Sequence, residues 1–342
     1  MTSLDESLAA YLALRMPGTS EVAVCDLSRI SGGASRETYR FRLDWRDAAG
    51  DARSRLLILR KDPIDSLIDT ERRTEFAAYR AFHGSAVPVP EMLYLEEDAG
   101  HLGGAFFIAE QIAGFDAGPM ALMAPPYLDH HAAYAEKKWT ILGEIARADP
   151  AAVGLTAEMA SPALDACWSK ELDHWEAIID ADALEPLPII RAAIRWLRAN
   201  PPPAAQKLSV VHGDYRTGNF LYDQVGGIHG ILDWEMAHLG DPLEDLGWSF
   251  NPIWRMRREG FVGGLAPRET AIAIWEKASG LRADSAGLHW WELFNCVKGQ
   301  GIWVSSSKAF ADGKNRDPIL AFSGWWMGNA QDRAALEVMG KL

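Results

Sequence analysis

The sequence predicts an α+β protein in which a small β-rich first part precedes a larger, mainly helical second part. Before residue 112, short runs rich in β-branched and aromatic residues alternate with turn residues, a pattern typical of strands. After residue 113, apolar residues recur at helical spacings over most of the chain. At 342 residues the chain is long enough for two domains. We place them at residues 1–112 and 113–342.

The first part is predicted to contain five strands and one main helix, after a short amphipathic helix over Leu4–Arg15. The main helix can be capped by Asp69 or Thr70 and runs to about Phe82. The predicted strands are Val22–Ile30, Thr38–Leu43, Arg55–Arg60, Glu91–Glu97 and Gly104–Ile112.

The second part is predicted to contain seven helices. They are Tyr127–Ala148, Pro162–Asp182, Pro188–Ala199, Leu243–Phe250, Arg268–Ser279, His289–Ser306 and Pro318–Val338. The last two helices carry tryptophans at helical spacings. This spacing favours a helical core, and the alternative is an apolar pocket for a small molecule that accepts a transferred group. These tryptophans are Trp290, Trp291, Trp303, Trp325 and Trp326.

Composition excludes several functional classes. The hydrophobic fraction of 48% and the charged fraction of 24% are those of a soluble globular protein. A net charge of −13 argues against non-specific binding of nucleic acid or of an anionic membrane. The sequence has neither a signal-peptide pattern nor an apolar run of the ~20 residues that a membrane span needs. We therefore expect a cytoplasmic protein with no membrane partner.

The three cysteines predict neither a disulfide framework nor a zinc site. Cys25, Cys167 and Cys296 are odd in number and far apart, and no CxxC pair or Cys/His cluster is present. We expect three reduced thiols.

Three polar residues in one central stretch form the pattern of a phosphoryl-transfer site. Asp214 and Asn219 follow one apolar run, and Asp233 follows another, Ile228–Leu232. Short buried strands would present these residues on loops at the strand ends. Asp214 can accept the proton of an acceptor hydroxyl. The oxygens of Asn219 and Asp233 suit Mg²⁺ bound together with substrate phosphates.

Such a site also needs a cation for the nucleotide phosphates and a carboxylate that holds this cation. Arg60 ends a predicted strand, and period-2 alternation places it on one face with Ile58 while Lys61 points to the other. Glu75 lies in the middle of the helix that follows. We predict an Arg60–Glu75 pair, with Lys61 left open as the alternative cation.

Other polar residues around the site have structural interpretations. His212 is expected to hold backbone, and Asp241 and Asp245 to act as scaffold around the start of the next helix. The segment with Ser31, Gly32, Gly33 and Ser35 can lay backbone N–H groups over phosphates. A glycine pair in a hairpin is equally consistent with an ordinary turn.

With these residues in this order, the chain resembles the aminoglycoside phosphotransferase/choline kinase family, whose fold is like that of eukaryotic protein kinases. The residues from His212 to Asn219 are similar to the family's HGDxxxxN catalytic loop, and those from Ile231 to Trp234 to its metal-binding IDW segment. The run LDWEMAHLGDPLEDLGW is most similar to a branch that includes kinase domains associated with acyl-CoA dehydrogenases.

The resemblance implies a bilobal protein-kinase-like fold, with a five-stranded antiparallel sheet and one helix in the N-lobe and a larger helical C-lobe. It also implies MgATP-dependent O-phosphorylation of a small molecule, through a hinge whose backbone meets the adenine. By position, the residues implied for catalysis are Asp214, Asn219 and Asp233, the last two as metal ligands. Those implied for the nucleotide are Arg60, Glu75, Ser31, Gly32, Gly33, Ser35, Gln111 and Ile112.

Two departures leave alternatives open. Arg60 stands where the family commonly has lysine, and the glycine-rich segment is not GxGxxG. The choice between ATP and GTP is therefore open. A nucleotide-binding pseudokinase is the alternative to an ATP-dependent kinase, and a metal-dependent hydrolase is a third reading.

The sequence does not identify the acceptor, which could be an aminoglycoside-like, amino-alcohol or hydroxyacyl compound. Glu235 and Glu244 allow a cationic acceptor. Arg255, Arg257 and Arg258 allow an anionic one, or form a solvated basic helix end. The oligomeric state is not readable from the sequence.

Overall fold

The computed structural model describes residues 3–30, 37–62, 70–314 and 318–342. The chain divides into two compact units, Met1–Phe115 and Asp116–Leu342. Strands predominate in the first unit and helices in the second, so the predicted α+β class is confirmed.

The first unit is built on one antiparallel sheet. Its elements are α1 (Leu4–Arg15), β1 (Ser20–Arg29), β2 (Glu37–Arg46), β3 (Ala52–Lys61), α2 (Thr70–Phe82), β4 (Met92–Glu96) and β5 (Phe106–Glu110). The strand order is β1-β2-β3-β5-β4, and each neighbouring pair is antiparallel. The five predicted strands and both predicted helices are present, with bounds that differ by a few residues at several ends.

Alternation along β3 decides which side chains of this strand enter the core. Leu57 and Leu59 are fully buried in a cluster with Leu8 and Leu12 of α1. Each such side chain stabilises the fold by roughly 1.5–3 kcal/mol through burial. Because side chains alternate along a strand, Arg60 lies on the opposite face, as predicted.

The second unit is mainly helical. Its helices are α3 (His131–Arg147), α4 (Cys167–Asp182), α5 (Pro188–Ala199), α6 (Leu243–Phe250), α7 (Arg268–Ser279), α8 (Ser285–Ala311) and α9 (Pro318–Val338). Its short strands are β6 (Ser209–Val211), β7 (Phe220–Tyr222), β8 (Ile228–Ile231), β9 (His238–Gly240), β10 (Phe261–Val262) and β11 (Ala266–Pro267). Within the described ranges, no helix of either unit is both long and apolar enough to cross a membrane.

The long helix α8 lies at the centre of this unit and packs against α4, α5, α6 and α9. Trp290, Trp291 and Phe294 are fully buried on it, and the rings of Trp290 and Phe294 stack with centroids 5.6 Å apart. The predicted tryptophan-rich core is present at this point of the chain.

The prediction of a core position is wrong for Trp325 and Trp326, which are 65% and 57% exposed. The reason is the close contact between α9 and α8. A Cβ at Gly324 would overlap the side chain of Ser307, so α9 approaches α8 through this small residue. The two tryptophans that follow Gly324 are turned away from that contact.

Two predicted helices begin later than expected. The predicted Tyr127–Ala148 helix opens with a 3-10 turn, Tyr127–His130, before α3. The predicted Pro162–Asp182 helix begins only at Cys167, because the preceding residues form a separate turn in which the Ala166 N–H bonds to a carbonyl three residues earlier.

The predicted His289–Ser306 helix is longer at both ends. It is α8, which begins at Ser285 because the Asp284 side chain accepts a hydrogen bond of 2.7 Å from the Gly287 N–H. This cap satisfies one of the unpaired N–H groups of the first turn.

The three cysteines are free thiols, as predicted. Burial raises the pKa of Cys167 and of Cys296 to about 12. Both thiols therefore stay protonated and unreactive at neutral pH.

Candidate active site

Two short antiparallel ladders in the second unit carry the predicted catalytic residues. β6 pairs with β9, and β7 pairs with β8. Residues 212–219 and 232–237 leave these ladders as two loops. The Leu232 N–H donates to the Asn219 carbonyl over 2.8 Å and joins the loops. The sheet ends thus bring together residues that are separate in sequence.

The Asp214 carboxylate is held by three side-chain donors. Trp248 Nε1 donates to Oδ1 over 2.8 Å, and Asn219 Nδ2 donates to Oδ2 over 2.7 Å. Arg216 Nε lies 3.1 Å from both oxygens. Charge-assisted hydrogen bonds of this kind are strong and directional. Asp214, whose side chain is only 14% exposed, is therefore an acceptor of fixed orientation.

Asn219 is oriented by the same carboxylate. Its amide nitrogen also donates to the Asp214 main-chain carbonyl over 2.9 Å, and the residue is buried. Because both of these hydrogen bonds use Nδ2, the amide oxygen is the atom that can serve a cation. A hard oxygen ligand is what Mg²⁺ prefers.

Asp233 follows β8 in a left-handed backbone conformation, with φ of 69° and ψ of 56°. For a non-glycine residue this conformation costs roughly 1–2 kcal/mol. Such strain persists where the surroundings impose it, and it concentrates at functional sites. The next residues form the 3-10 turn Trp234–Met236, in which Trp234 is fully buried.

His212 bridges the two loops through its ring. Nδ1 accepts a hydrogen bond of 3.1 Å from the Asp214 N–H, and Nε2 lies 3.0 Å from the Leu232 carbonyl. Burial lowers the pKa of His212 to about 4, so the ring is neutral and Nε2 donates to Leu232. The residue holds backbone, in agreement with the structural interpretation from the sequence.

Asp245 holds the turn from the other side. Its two oxygens accept from the N–H groups of His212, at 2.6 Å, and Gly213, at 3.0 Å. Burial raises the pKa of Asp245 to about 6, although these bonds and Lys298 oppose the shift. Gly213 has φ of +86°, and a Cβ there would lie 2.4 Å from the Met236 carbonyl oxygen. Only glycine fits this position.

Asp241 is a scaffold residue, as predicted. Its Oδ1 accepts from the Leu243 N–H over 2.9 Å at the start of α6, and its Oδ2 accepts from Trp291 Nε1 over 3.1 Å. The residue therefore fixes α6 against α8. Burial raises the pKa of its carboxyl to about 6.

In the first unit, Arg60 and Glu75 form the predicted ion pair. Glu75 is fully buried and the Arg60 side chain is 16% exposed. Lys61 lies on the other face of β3, where Nζ is 2.9 Å from Glu37 Oε2. The two candidate cations thus have different carboxylate partners.

The other residues implied for nucleotide binding are only partly described. Gln111 directly follows β5, and its N–H donates to the Leu56 carbonyl over 3.0 Å. Ile112 is the next residue and lies beyond the strand. Ser31, Gly32, Gly33 and Ser35 lie outside the described residues.

Sequence reasoning missed two residues that contact Asp214. Trp248 lies 34 residues away in sequence, and no local pattern connects the two. Arg216 follows Asp214 by two positions, and an arginine within the predicted catalytic loop is a signal that could have found it. The Arg216 guanidinium lies 5.2 Å from the ring centroid of Trp254.

A buried cluster of charges lies next to Trp248. It consists of Glu171, His238, Glu244 and Lys298, whose ammonium is 2.8 Å from Glu244 Oε1 and 5.4 Å from the Trp248 ring centroid. Burial alone would lower the pKa of His238, but the two carboxylates outweigh it and raise the pKa to about 9. The cluster is therefore balanced, with two anions and two cations.

This pairing corrects one interpretation from the sequence and bears on a possible metal site. Glu244, considered from the sequence as a contact for a cationic acceptor, is fully buried and bound to Lys298. The ligand atoms of Glu171, His238 and Glu244 lie within 4.8 Å of one another, close enough to hold a metal ion. Lys298 and the protonated His238 already supply the positive charge there.

Lys138 is a fully buried cation in this unit. Its Nζ donates to Thr217 Oγ1 over 3.0 Å, and Thr217 Oγ1 donates in turn to the Gly263 carbonyl over 3.1 Å. Burial, followed by the nearby charge of Arg216, lowers the pKa of Lys138 to about 7. Lys138 thus ties the loop of residues 212–219 to the segment around Gly263.

Comparison with known proteins decides the family. The model of the phosphotransferase enzyme family matches residues 26–281, which is more than half of the chain. The chain belongs to the phosphotransferase enzyme family. The resemblance noted in the sequence is thereby confirmed.

Among curated proteins, the chain is similar to acyl-CoA dehydrogenase family members. It is 27% identical over 255 residues to member 10 of Mus musculus, covering 72% of this chain and 22% of that protein. It is 25% identical over 248 residues to member 11 of Gallus gallus, covering 71% and 30%. The chain therefore spans less than a third of the length of these two relatives.

Solved structures show the fold. A Ralstonia eutropha JMP134 protein superposes with a TM-score of 0.74 at 20% identity, covering 98% of both chains. Aminoglycoside phosphotransferase APH(4)-Ia, as a thermostable mutant with AMP-PNP and hygromycin B, gives 0.61 at 20% identity, again over 98% of both chains. The GDP complex of aminoglycoside 2'-phosphotransferase-IIIa gives 0.63 at 14% identity, covering 96% of this chain and 98% of that one. The chain thus has their protein-kinase-like fold, as predicted.

Proposed function

We propose that the chain is an ATP-dependent small-molecule kinase that transfers the γ-phosphate to a hydroxyl group. The observation that carries this proposal is the Asp214 carboxylate, held by Trp248, Asn219 and Arg216 in a loop joined to that of Asp233. Phosphoryl transfer depends mainly on positioning and charge stabilisation. A preorganised carboxylate, bound to Asn219 and in a loop joined to that of Asp233, supports that chemistry.

In the proposed reaction, Asp214 accepts the proton of the acceptor hydroxyl. The acceptor oxygen forms a bond to the γ-phosphorus while the bond to the ADP oxygen breaks, and ADP leaves. A general base of this kind contributes typically 10²–10⁴-fold to the rate. Trp248 and Asn219 act on this step by fixing the orientation of the carboxylate.

Asn219 and Asp233 are the proposed magnesium ligands. The donor set fits, because an amide oxygen and a carboxylate are hard oxygen ligands and the Asn219 nitrogen is already bound to Asp214. A bound Mg²⁺ would neutralise charge on the nucleotide phosphates.

In the first unit, we assign the nucleotide phosphates to Arg60, which Glu75 holds. The segment with Ser31, Gly32, Gly33 and Ser35 is a further proposed phosphate contact, and the backbone at Gln111 and Ile112 a proposed contact for the base. ATP is the proposed donor, and a parallel assay with GTP tests the preference.

We propose three classes of compound as candidates for the phosphate acceptor. The APH(4)-Ia neighbour binds hygromycin B, which supports an aminoglycoside-like acceptor. The relatives named acyl-CoA dehydrogenases support a hydroxyacyl compound. An amino-alcohol is the third candidate.

The test is nucleotide turnover by the purified full chain with a panel of hydroxyl compounds and Mg²⁺. We expect a phosphorylated product with the wild type and a loss of at least 100-fold with Asp214→Asn. Asp129→Asn, which changes an exposed aspartate of the same unit, is the matched control and should keep wild-type turnover. Equal product from Asp214→Asn would refute the mechanism.

A nucleotide-binding pseudokinase is the second candidate, because Arg60 replaces the lysine of the family. Calorimetry with MgATP, followed by the same turnover panel, separates the two functions. Binding without turnover against every acceptor would favour the pseudokinase.

A further inference from the structure

A cavity of about 460 Å³ in the second unit has charged walls. Its volume is in the range of small-molecule sites, about 300–1,000 Å³. The charged residues that line it are Arg255, Arg257, Arg258, Arg333, Glu259 and Glu337. Four arginines against two glutamates leave the lining with an excess of two positive charges, whereas the whole chain carries −13. We call this cavity the arginine pocket.

The arginines are not all neutralised by carboxylates. Arg255 pairs with Glu337 at 2.5 Å. Arg258 instead contacts the ring of His131, donates to the Gly264 carbonyl over 3.0 Å and lies over the Phe261 ring. Among the described residues, neither Arg257 nor Arg333 has a carboxylate partner. These guanidinium groups can therefore serve an anion.

The backbone at the pocket is strained. Met256 and Arg257 are consecutive non-glycine residues in left-handed conformation, with φ of 51° and 64°. Each such residue costs roughly 1–2 kcal/mol, a cost that recurs at ligand-binding segments. The sequence allowed a solvated basic helix end here, and residues 255–260 follow the 3-10 helix Pro252–Trp254 mainly as bends and turns.

One aromatic residue connects the pocket to Asp214. Trp254 lies between the pocket residues Ile253 and Arg255, and its ring packs edge-on against Trp248, with centroids 5.4 Å apart. Trp248 donates directly to Asp214. Trp254 therefore places one aromatic contact between the residues that line the pocket and the tryptophan that holds Asp214.

We propose that the arginine pocket binds an anionic group, phosphate or carboxylate, of a small molecule. The assignment of that molecule as the acceptor rests on the proposed function, with its hydroxyl at Asp214 and its anionic end at Arg257 and Arg333. Such an acceptor has the opposite charge to an aminoglycoside.

The test is calorimetric titration of the full chain with inorganic pyrophosphate and, in a second arm, citrate, which separates phosphate from carboxylate recognition. AMP-PNP and Mg²⁺ are present at saturation to block the nucleotide site. We expect Arg257→Ala/Arg333→Ala to weaken binding of the preferred anion about tenfold or more, since hydrogen bonds to charged groups are strong. The double variant Arg195→Ala/Arg282→Ala removes the same charge from exposed positions elsewhere. Its Kd for the anion should stay within twofold of the wild-type value.

Two outcomes overturn the proposal. One is an absence of anion binding to the wild type in both arms, and the other is equal weakening of anion binding in the two double variants. Asp214→Asn should bind the anion like the wild type, which separates this site from the catalytic proposal. If the anion binds as expected while no hydroxyl compound is phosphorylated, the pocket stands and the proposed function fails.

Discussion

The indole Nε1 of Trp248 donates a hydrogen bond of 2.8 Å to Oδ1 of Asp214, across 34 residues of sequence. Trp248 is buried, and the ammonium of Lys298 lies 5.4 Å from its ring centroid. The orientation of the candidate base is therefore set from the helix α6 and not only from its own loop.

Trp248→Phe should slow turnover while leaving nucleotide binding intact. Phenylalanine keeps an aromatic ring but removes the N–H. A hydrogen bond to a charged group contributes about 1.5–3 kcal/mol, so we expect kcat to fall roughly ten- to hundredfold. The KM for ATP should stay within twofold, because the lost bond orients Asp214.

The matched control for this change is Trp290→Phe. It removes an indole hydrogen bond of 3.1 Å to the Leu197 carbonyl in the core. Trp290→Phe should lower stability without a comparable loss of kcat. Equal losses of kcat in both variants would mean that Trp248 acts only through stability.

Arg60→Met and Lys61→Met should separate the two candidate cations. Arg60 pairs with the fully buried Glu75, whereas Lys61 pairs with the partly exposed Glu37. We expect Arg60→Met to raise the KM for ATP and lower turnover by at least 100-fold, because the phosphates lose a fixed charge. Lys61→Met is the control, and its KM for ATP and its turnover should stay within a few-fold of the wild-type values in steady-state assays. The reverse ranking would assign the phosphates to Lys61.

The charge cluster predicts a pH-dependent contribution of His238 to stability. The pKa of His238 is raised to about 9, above an ordinary value of 6.5. A raised pKa stabilises the fold fully below about pH 6.5, and this contribution is lost as pH rises through about 9. The difference in unfolding free energy between wild type and His238→Gln should therefore shrink from pH 6.5 to 9.

Urea unfolding at several pH values measures this difference. His229→Gln is the control, since that histidine is more exposed and lies outside the cluster. A wild-type advantage that is constant from pH 6.5 to 9 would show that His238 is not charged in the fold.

Lys138→Met should stabilise the protein at neutral pH. Burial lowers the pKa of Lys138 to about 7, so the folded state disfavours a charge that the unfolded chain carries freely up to its ordinary pKa of 10.5. The penalty is complete below about pH 7 and disappears as pH rises towards 10.5. We expect a gain of roughly 1–3 kcal/mol near pH 7, after the lost hydrogen bond to Thr217 is included.

Lys137→Met, which changes an exposed lysine on the same helix, should give no comparable gain. Thermal or urea unfolding at pH 6, 8 and 10 gives the comparison. A gain that grows with pH would contradict the assigned pKa shift of Lys138.

Local signals explain why much of the fold was predictable. α5 spans Pro188–Ala199 as predicted, because a proline opens it and Asn200 followed by prolines ends it. Alternation along β3 predicted that Arg60 and Lys61 face opposite sides. His212 was predictable as a backbone contact because its partners lie in the same two loops.

Other features depended on contacts that no local pattern encodes. The exposure of Trp325 and Trp326 follows from the approach of α9 to α8 at Gly324, and helical spacing alone could not predict it. Likewise, Arg255 and Arg333 line one pocket although they belong to segments far apart in sequence.

The sequence by itself determined the candidate chemistry, because Asp214 and Asn219 lie within one loop and Asp233 follows the next ladder. Residues so close along the chain keep their order and spacing however the helices pack. Only the tertiary structure decided what holds and surrounds them: Trp248 on Asp214, Lys298 on Glu244, and the arginines of the pocket. Such contacts join side chains from separate helices and loops, so they exist only once the packing of the helices brings these elements together.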